Sequence, residues 1–248
     1  MGRLLRLVSP LPGYEFSYIH SAHLAAEHGF QPFIAFPDLS KVYRSRELLP
    51  FFKNRVLSPA RPDYEMHVES LALATEAAEP MTLLALSGGR RATDLVEVFP
   101  DWVRDGRSRT MNTRFLLRGV QHVAGAEERI QSLRPGDVLR FLAHTENPVN
   151  PLAIKVQTEG SVDIGYLPDY LAADVTELLS RNAKVEVSVL RVNPPPVSRH
   201  HRVLCSLLVR DSQGMTGFRD DGFRPIPREA TSIDDEALTS TSHTLAAR

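Results

Sequence analysis

The chain has 248 residues and one cysteine, Cys205. A single cysteine excludes an intrachain disulfide and any zinc site built on paired cysteines. Cys205 lies in the apolar run Val203 to Val209, where a small thiol packs as a hydrophobe. No run approaches the about 18 consecutive apolar residues that span a bilayer, and the opening MGRLLRLVSPLPG has too short an apolar stretch for a secretory leader. A soluble protein of the cytoplasm with no membrane partner is the expectation. Charge of one sign is also missing. The formal net charge is −1, from 29 Lys and Arg against 30 Asp and Glu. Residues 1–110 carry 13 basic and 13 acidic residues, 111–210 carry 12 and 10, and 211–248 carry 4 and 7. No global field draws the chain to nucleic acid, so any phosphate contact depends on a local patch. There is no G-x-x-x-x-G-K-[ST] phosphate loop, and no nucleophile–base pair or metal-ligand set is recognisable. A non-enzymatic protein without cofactor or metal is expected.

What the chain does have is enough apolar sequence, 42%, for a packed core. The first hundred residues read as mixed α+β. Leu4 to Ser9 and Tyr14 to Tyr18 suit strands, and Ala22 to His28 a short helix behind Ser21. Phe30 to Phe36 suits an edge strand interrupted by Pro32. Leu48 to Val56 suits a helix start with Phe51 and Phe52 facing the core, Tyr64 to Ala74 and Met81 to Leu86 suit helices, and Leu95 to Phe99 a strand. The polar run 101–113 reads as a linker or crossover, its centre at 105–113.

From Arg114 the pattern becomes short strands: Arg114 to Val120, Val138 to Ala143, Ala153 to Thr158, Ser161 to Tyr166, Lys184 to Val192 and Val203 to Arg210. One helix, Pro168 to Leu179, is inserted among them. Antiparallel strands with one helix predict a small closed barrel. Residues 211–248 lose apolar periodicity and read as a disordered tail. The expected organisation is an α+β lobe at 1–104, a linker at 105–113, a β-barrel at 114–210 and the tail.

Three polar clusters invite specific chemistry. Gly88-Gly89-Arg90-Arg91 could present backbone N–H groups to an anion, but a helix stop followed by surface arginines is the plainer reading. His200-His201 lacks partners at metal-ligand spacing and reads as a solvated turn. Asp220-Asp221 and Asp234-Asp235-Glu236 have no glycine-spaced loop for calcium.

The stretch from Arg114 to Arg210 resembles the HIRAN domain. The residues that carry the resemblance are Phe115, Gly119-Val120, Leu133, Gly136-Asp137, Leu139, Asn147-Pro148, Asn150, Ala153-Ile154-Lys155-Val156, Gly165-Tyr166-Leu167-Pro168 and Ala172. The resemblance implies a modified β-barrel of the oligonucleotide-binding kind. It also implies contact with DNA, single-stranded or with a free end; members occur fused to ATP-dependent helicases, and the best known capture a 3′ end. The candidate contact residues are Arg129, Asn147, Asn150, Lys155 and Tyr166. The Asn147-Pro148 turn is held extended by the proline ring, Lys155 could meet a phosphate, and Tyr166 could stack a base. Equally, the asparagines could only hold the turn, Lys155 could be a solvated strand charge, and Tyr166 could pack under the helix.

The sequence departs from the end-capturing members in two places. Where those carry an Arg-Tyr pair, Gly125-Ala126-Glu127-Glu128 is aligned, and the two acids would repel phosphate. Where those carry Tyr-Asp after Asn-Pro, Val149-Asn150 stands here. Two readings stay open: a looser DNA contact, or a protein contact through the same surface. Residues 5–100 resemble the N-terminal subdomain of HipA-type kinases, through Phe16-x-Tyr18, Phe33-x-Ala35-Phe36-Pro37, Tyr43-Arg44-Ser45 and Leu49-Pro50-Phe51-Phe52-x-Asn54. No kinase core follows, so that resemblance implies a docking lobe for a protein partner. The alternative to nucleic-acid binding is therefore an adaptor or regulator of a HipA-like kinase or a DNA-processing partner.

Overall fold

The structure is a computed structural model, and it describes residues 2–105, 107–210, 217–218, 221–223, 226 and 242–247. In chain order the elements begin with β1 (Gly2–Leu7), β2 (Gly13–Tyr18), α1 (His20–Glu27), β3 (Tyr43–Ser45), α2 (Pro50–Lys53), α3 (Tyr64–Ser70), α4 (Pro80–Ser87) and β4 (Val96–Pro100). They continue with β5 (Val103–Asp105), β6 (Thr110–Leu116), α5 (Ala126–Ser132), β7 (Val138–Ala143), β8 (Ile154–Thr158), β9 (Asp163–Tyr166), α6 (Asp169–Ser180), β10 (Lys184–Val192), β11 (Val203–Arg210) and β12 (Ser242–Ala247). The chain divides into two compact units. The first comprises Met1–Leu57, Glu79–Asp101 and Phe218–Arg248; the second comprises Ser58–Ala78 and Trp102–Gly217.

The first unit is a five-stranded antiparallel sheet in the order β3-β2-β1-β12-β4. Its core is aromatic. Phe16 and Tyr18 project from β2 onto Phe36 and Phe52, and Phe30, Phe33, Tyr43 and Phe51 close around them. The Phe16 and Phe36 rings sit 4.3 Å apart and those of Phe16 and Tyr18 meet edge-on at 5.1 Å, arrangements that the ring quadrupole favours. The expected strand at Phe30 to Phe36 is absent; the segment is an irregular loop. Pro32 has no N–H for a ladder, and the Tyr18 hydroxyl holds the loop instead, accepting from the Phe33 N–H at 2.8 Å and donating to the Phe36 carbonyl at 2.9 Å. Burial of that hydroxyl pushes its pKa up to about 12.

Gly88 and Gly89 act as a helix stop. The Gly88 N–H caps α4 on the Leu84 carbonyl at 3.0 Å, its carbonyl accepts from Val98 N–H, and the Gly89 carbonyl accepts from the Arg55 guanidinium at 3.2 Å. Arg55 is also bidentate to Asp94, at 2.9 and 2.5 Å, and lies over the Phe51 ring. The guanidinium holds the Asp94 carboxyl below the ordinary carboxylate range. The tail expected to be disordered falls mostly outside the described residues, Asp220 and Asp234-Asp235-Glu236 included. Ser242–Ala247 are described, and they form a strand paired to β1 on one side and β4 on the other.

The second unit is a seven-stranded antiparallel sheet in the order β5-β6-β11-β10-β7-β8-β9. The expected strands at Val138–Ala143, Lys184–Val192 and Val203–Arg210 lie at the expected positions. The polar run read as a linker holds β5 and the start of β6, paired as a hairpin. Its core is chiefly aliphatic, with Ile130, Ile154, Val156, Ile164, Leu171, Val175, Leu207 and Val209 all at 0–1% exposure. In α6 the buried Leu171, Ala172, Asp174, Val175 and Leu178 fall on one helical face, and Asp174 is held there by the Trp102 indole N–H at 2.8 Å. Cys205 is fully buried, and desolvation pushes its thiol pKa up.

One bridge joins the segment after β6 to β9 at the sheet's far edge. Just past β6, Arg118 pairs with Tyr166 at the end of β9, each N–H donating to the other's carbonyl at 2.9 and 2.8 Å. Gly165 makes this approach possible, because a Cβ there would stand 2.6 Å from the Arg118 carbonyl oxygen. That contact is the physical reason for glycine in the Gly165-Tyr166-Leu167-Pro168 run.

Candidate nucleic-acid interface

Alternation along β7, β8 and β9 sends one set of side chains to the core and the other to the opposite face. Leu139, Ile154, Val156 and Ile164 point inward. Register pairs Leu142 with Lys155 and Arg140 with Gln157, and Lys155 with Tyr166 and Gln157 with Asp163. The outer face of these strands therefore carries Arg140, Leu142, Lys155, Gln157, Asp163 and Tyr166. Leu142 is 47% exposed.

Tyr166 is half-buried, and its environment is built from three segments. Its ring lies against Gly119, where φ is +63° and a Cβ would stand 2.8 Å from the ring. The His144 imidazole stacks on it at 5.9 Å between centroids and 25° between planes. The tyrosine hydroxyl meets His144 Nδ1 at 3.2 Å, and Asn147 Nδ2 meets the same nitrogen at 3.3 Å. Asn147 Oδ1 accepts from the N–H groups of Val149 and Asn150, at 2.9 and 3.1 Å. That fixes the amide with its NH₂ toward His144, so Nδ1 acts as the acceptor. Asn150 makes the second half of the turn: its Oδ1 accepts from Leu152 N–H at 2.9 Å, and its Nδ2 donates to Asp169 Oδ1 at 2.8 Å. Both asparagines hold the loop with their oxygens, as Asx turns do.

The two candidate cations converge on Asp163. Lys155 Nζ reaches its Oδ2 at 2.8 Å and Gln157 Nε2 its Oδ1 at 2.7 Å, while Arg129 Nε donates to the Asp163 main-chain carbonyl at 3.0 Å. Arg129 also donates to the Ala124 carbonyl. The hydrogen bond from Lys155 lowers the Asp163 carboxyl, and that carboxylate raises the lysine. The patch thus holds two cations and one anion.

One of the two acids expected to repel phosphate is placed differently, while Glu128 is exposed. Ala126–Ser132 forms α5, an element the strand pattern alone did not anticipate, although Ala126 and Ile130 have helical spacing behind Gly125. From its first turn Glu127 forms an ion pair at 2.6 Å with Arg202, whose side chain is buried. The carboxylate is therefore neutralised by Arg202. Three residues that the sequence reading passed over belong near Tyr166. His144 is one; Gln121 and His122, exposed on the 3₁₀ turn directly after Gly119, are the others, and their side chains touch at 3.2 Å. For Gln121 and His122, position just after the Gly119 turn was the available signal. Among the described residues no group of three or more His, Cys, Asp or Glu could hold a metal ion, and no helix is long and apolar enough to cross a membrane.

The family model of the HIRAN domain matches residues 111–210. The chain is similar to a solved protein from Lactobacillus plantarum, at 17% identity over 47% of this chain and 96% of the other, with a TM-score of 0.33. It is similar to the crystal structure of the HIRAN domain of human HLTF, at 16% identity over 47% of this chain and 93% of that one, with a TM-score of 0.34. The solution structure of the HLTF HIRAN domain gives 16% identity over 45% and 81%, with a TM-score of 0.25. No curated protein matches the chain. The resemblance of residues 5–100 to the N-terminal subdomain of HipA-type kinases finds no support in these comparisons.

Proposed function

We propose that residues 111–210 form a non-catalytic module that binds single-stranded DNA on the outer face of β7–β9. HIRAN domains are nucleic-acid-binding modules, and the match to 111–210 supports DNA binding in general. The observation that carries the finer reading is the Tyr166 ring, half-buried and held in one orientation by Gly119, His144 and Asn147. A pre-oriented ring stacks any base without loss of rotamer freedom on binding, and such a stack is worth about 1–3 kcal/mol per base. Lys155 on the neighbouring strand β8 and Arg140 one strand further on β7 supply phosphate contacts, the former in competition with Asp163.

The test is fluorescence anisotropy of the full chain with a short single strand, its 3′ end free or blocked, at two salt concentrations. The expected result is binding that weakens as salt rises. Binding lost on blocking the end would assign end capture; equal binding would assign contact with internal strand. Absence of binding at low salt would overturn the reading in favour of an adaptor, docking a protein on the same face through Leu142 and Val149, which are 47% and 83% exposed.

A further inference from the structure

The second unit contains a cavity of about 400 Å³ whose charged lining is Glu127, Arg134, Arg191 and Arg202. It lies between α5, the end of β10 and the Pro194-Pro195 turn, and no residue of the outer face around Tyr166 lines it. The lining holds three guanidiniums against one carboxylate, and Arg191 is also paired at 3.5 Å with Glu69 outside the lining, so the local balance is +1.

The deepest of these cations is Arg202, only 4% exposed. Its Nη1 donates to the carbonyls of Asn193 and Val197 at 2.8 and 2.9 Å, and its Nε faces Glu127 Oε1 at 2.6 Å without an aligned hydrogen bond. These bonds fix the guanidinium plane and leave Nη2 with no hydrogen bond among the described residues. Arg191 is oriented by Asn193 Oδ1 at 3.0 Å, and Arg134 by the Leu133 and Gln131 carbonyls at 2.9 and 3.2 Å. All three forks are positioned by main chain or amide before any ligand arrives. Planar, weakly hydrated guanidiniums match the oxygens of phosphate. A phosphate monoester carries about −1.5 to −2 charges at pH 7, opposite in sign to this net-positive lining. Leu133 and Pro194 complete the wall with apolar surface for an organic substituent, and the volume suits a small ligand.

We propose that this cavity binds a phosphate monoester of nucleotide type, either a free nucleoside 5′-monophosphate or the 5′-phosphorylated end of a strand. The inference does not rest on the single-strand reading. Calorimetric titration of the full chain with adenosine 5′-monophosphate, adenosine, and a 5′-phosphorylated and a 5′-hydroxyl dinucleotide tests it. The expected result is one site for the monophosphate and none for adenosine. Arg134→Gln, an exposed change, lowers affinity about tenfold, as loss of one charged hydrogen bond would. Arg191→Gln does the same, and Arg181→Gln, outside the lining, does not. A phosphorylated dinucleotide that binds ten times more tightly than the monophosphate assigns the strand end, and equal affinity assigns the free nucleotide. Equal affinity for adenosine and its monophosphate, no binding by either at millimolar concentration, or unchanged affinity in both arginine variants overturns the proposal. A 5′-hydroxyl, 3′-blocked strand carries no phosphate monoester, so its binding reports on the Tyr166 face alone.

Discussion

The two units spend their aromatic rings in different ways. In the first, Phe16, Tyr18, Phe36 and Phe52 are buried and Phe30, Phe33, Tyr43 and Phe51 pack onto them, so the rings are the core. In the second, isoleucine, leucine and valine fill most of the interior, and Tyr166 and His144 stay half-buried beside an outer sheet face. A fully buried ring contributes its whole apolar area to folding, whereas a half-buried ring contributes part of it and leaves part of its surface in water. Ion pairs follow the same division. Arg55–Asp94 ties a loop to an aromatic floor, while Lys155–Asp163 lies on the face proposed to meet DNA.

The contrast breaks most visibly at Phe52, fully buried in the first unit. Phe52→Ala is expected to lower unfolding free energy by about 3–5 kcal/mol in urea titration, and a loss below about 1 kcal/mol would mean the aromatic cluster is not the core it resembles. Arg55→Ala comes next, at about 2 kcal/mol, because it removes the guanidinium donors of Asp94 and of the Gly89 carbonyl. The same pair gives a pH signature. Asp94 has a carboxyl lowered in the folded state, so its stabilisation is present above the ordinary carboxylate range and is lost as pH falls through the folded value. Wild-type stability should therefore drop in acid more steeply than that of Arg55→Ala.

On the other side of the comparison, Tyr166→Ala is expected to weaken single-strand binding by about 1 kcal/mol or more while the unfolding midpoint moves little. A collapse of stability instead would make Tyr166 a core residue like Phe52. Asp163→Asn sharpens the role of Lys155. Without the carboxylate the ammonium is available to phosphate, so affinity should rise a few-fold and the slope of log affinity against log salt should steepen by about 1. An unchanged slope would place Lys155 outside the contact. The smallest effect is expected at Cys205, whose buried thiol should resist alkylation until the protein unfolds.

Much of the second unit was legible in the chain. Alternation along Lys184–Val192 reports a half-buried strand, and the short apolar runs at Val138–Ala143 and Val203–Arg210 are readable as strands too, because side-chain direction along a strand is a local property. The Asn147-Pro148 turn and the glycine of Gly165-Tyr166 were readable for the same reason, since turn chemistry acts within a few residues. The segment Phe30 to Phe36 was misread because its aromatic spacing serves a loop held by Tyr18, a partner distant in sequence.

Sequence by itself determined the mixed α+β class, the antiparallel strands of 111–210 and the HIRAN pattern, all of which depend on local periodicity and short motifs. Tertiary structure alone decided that Ser58–Ala78 joins the second unit and that Ser242–Ala247 lies between β1 and β4. It also decided that Glu127 faces Arg202, and that Lys155 and Arg129 converge on Asp163. Charge pairing and strand neighbours are fixed by which segments the whole core brings within a few ångströms, and no local pattern encodes that distance.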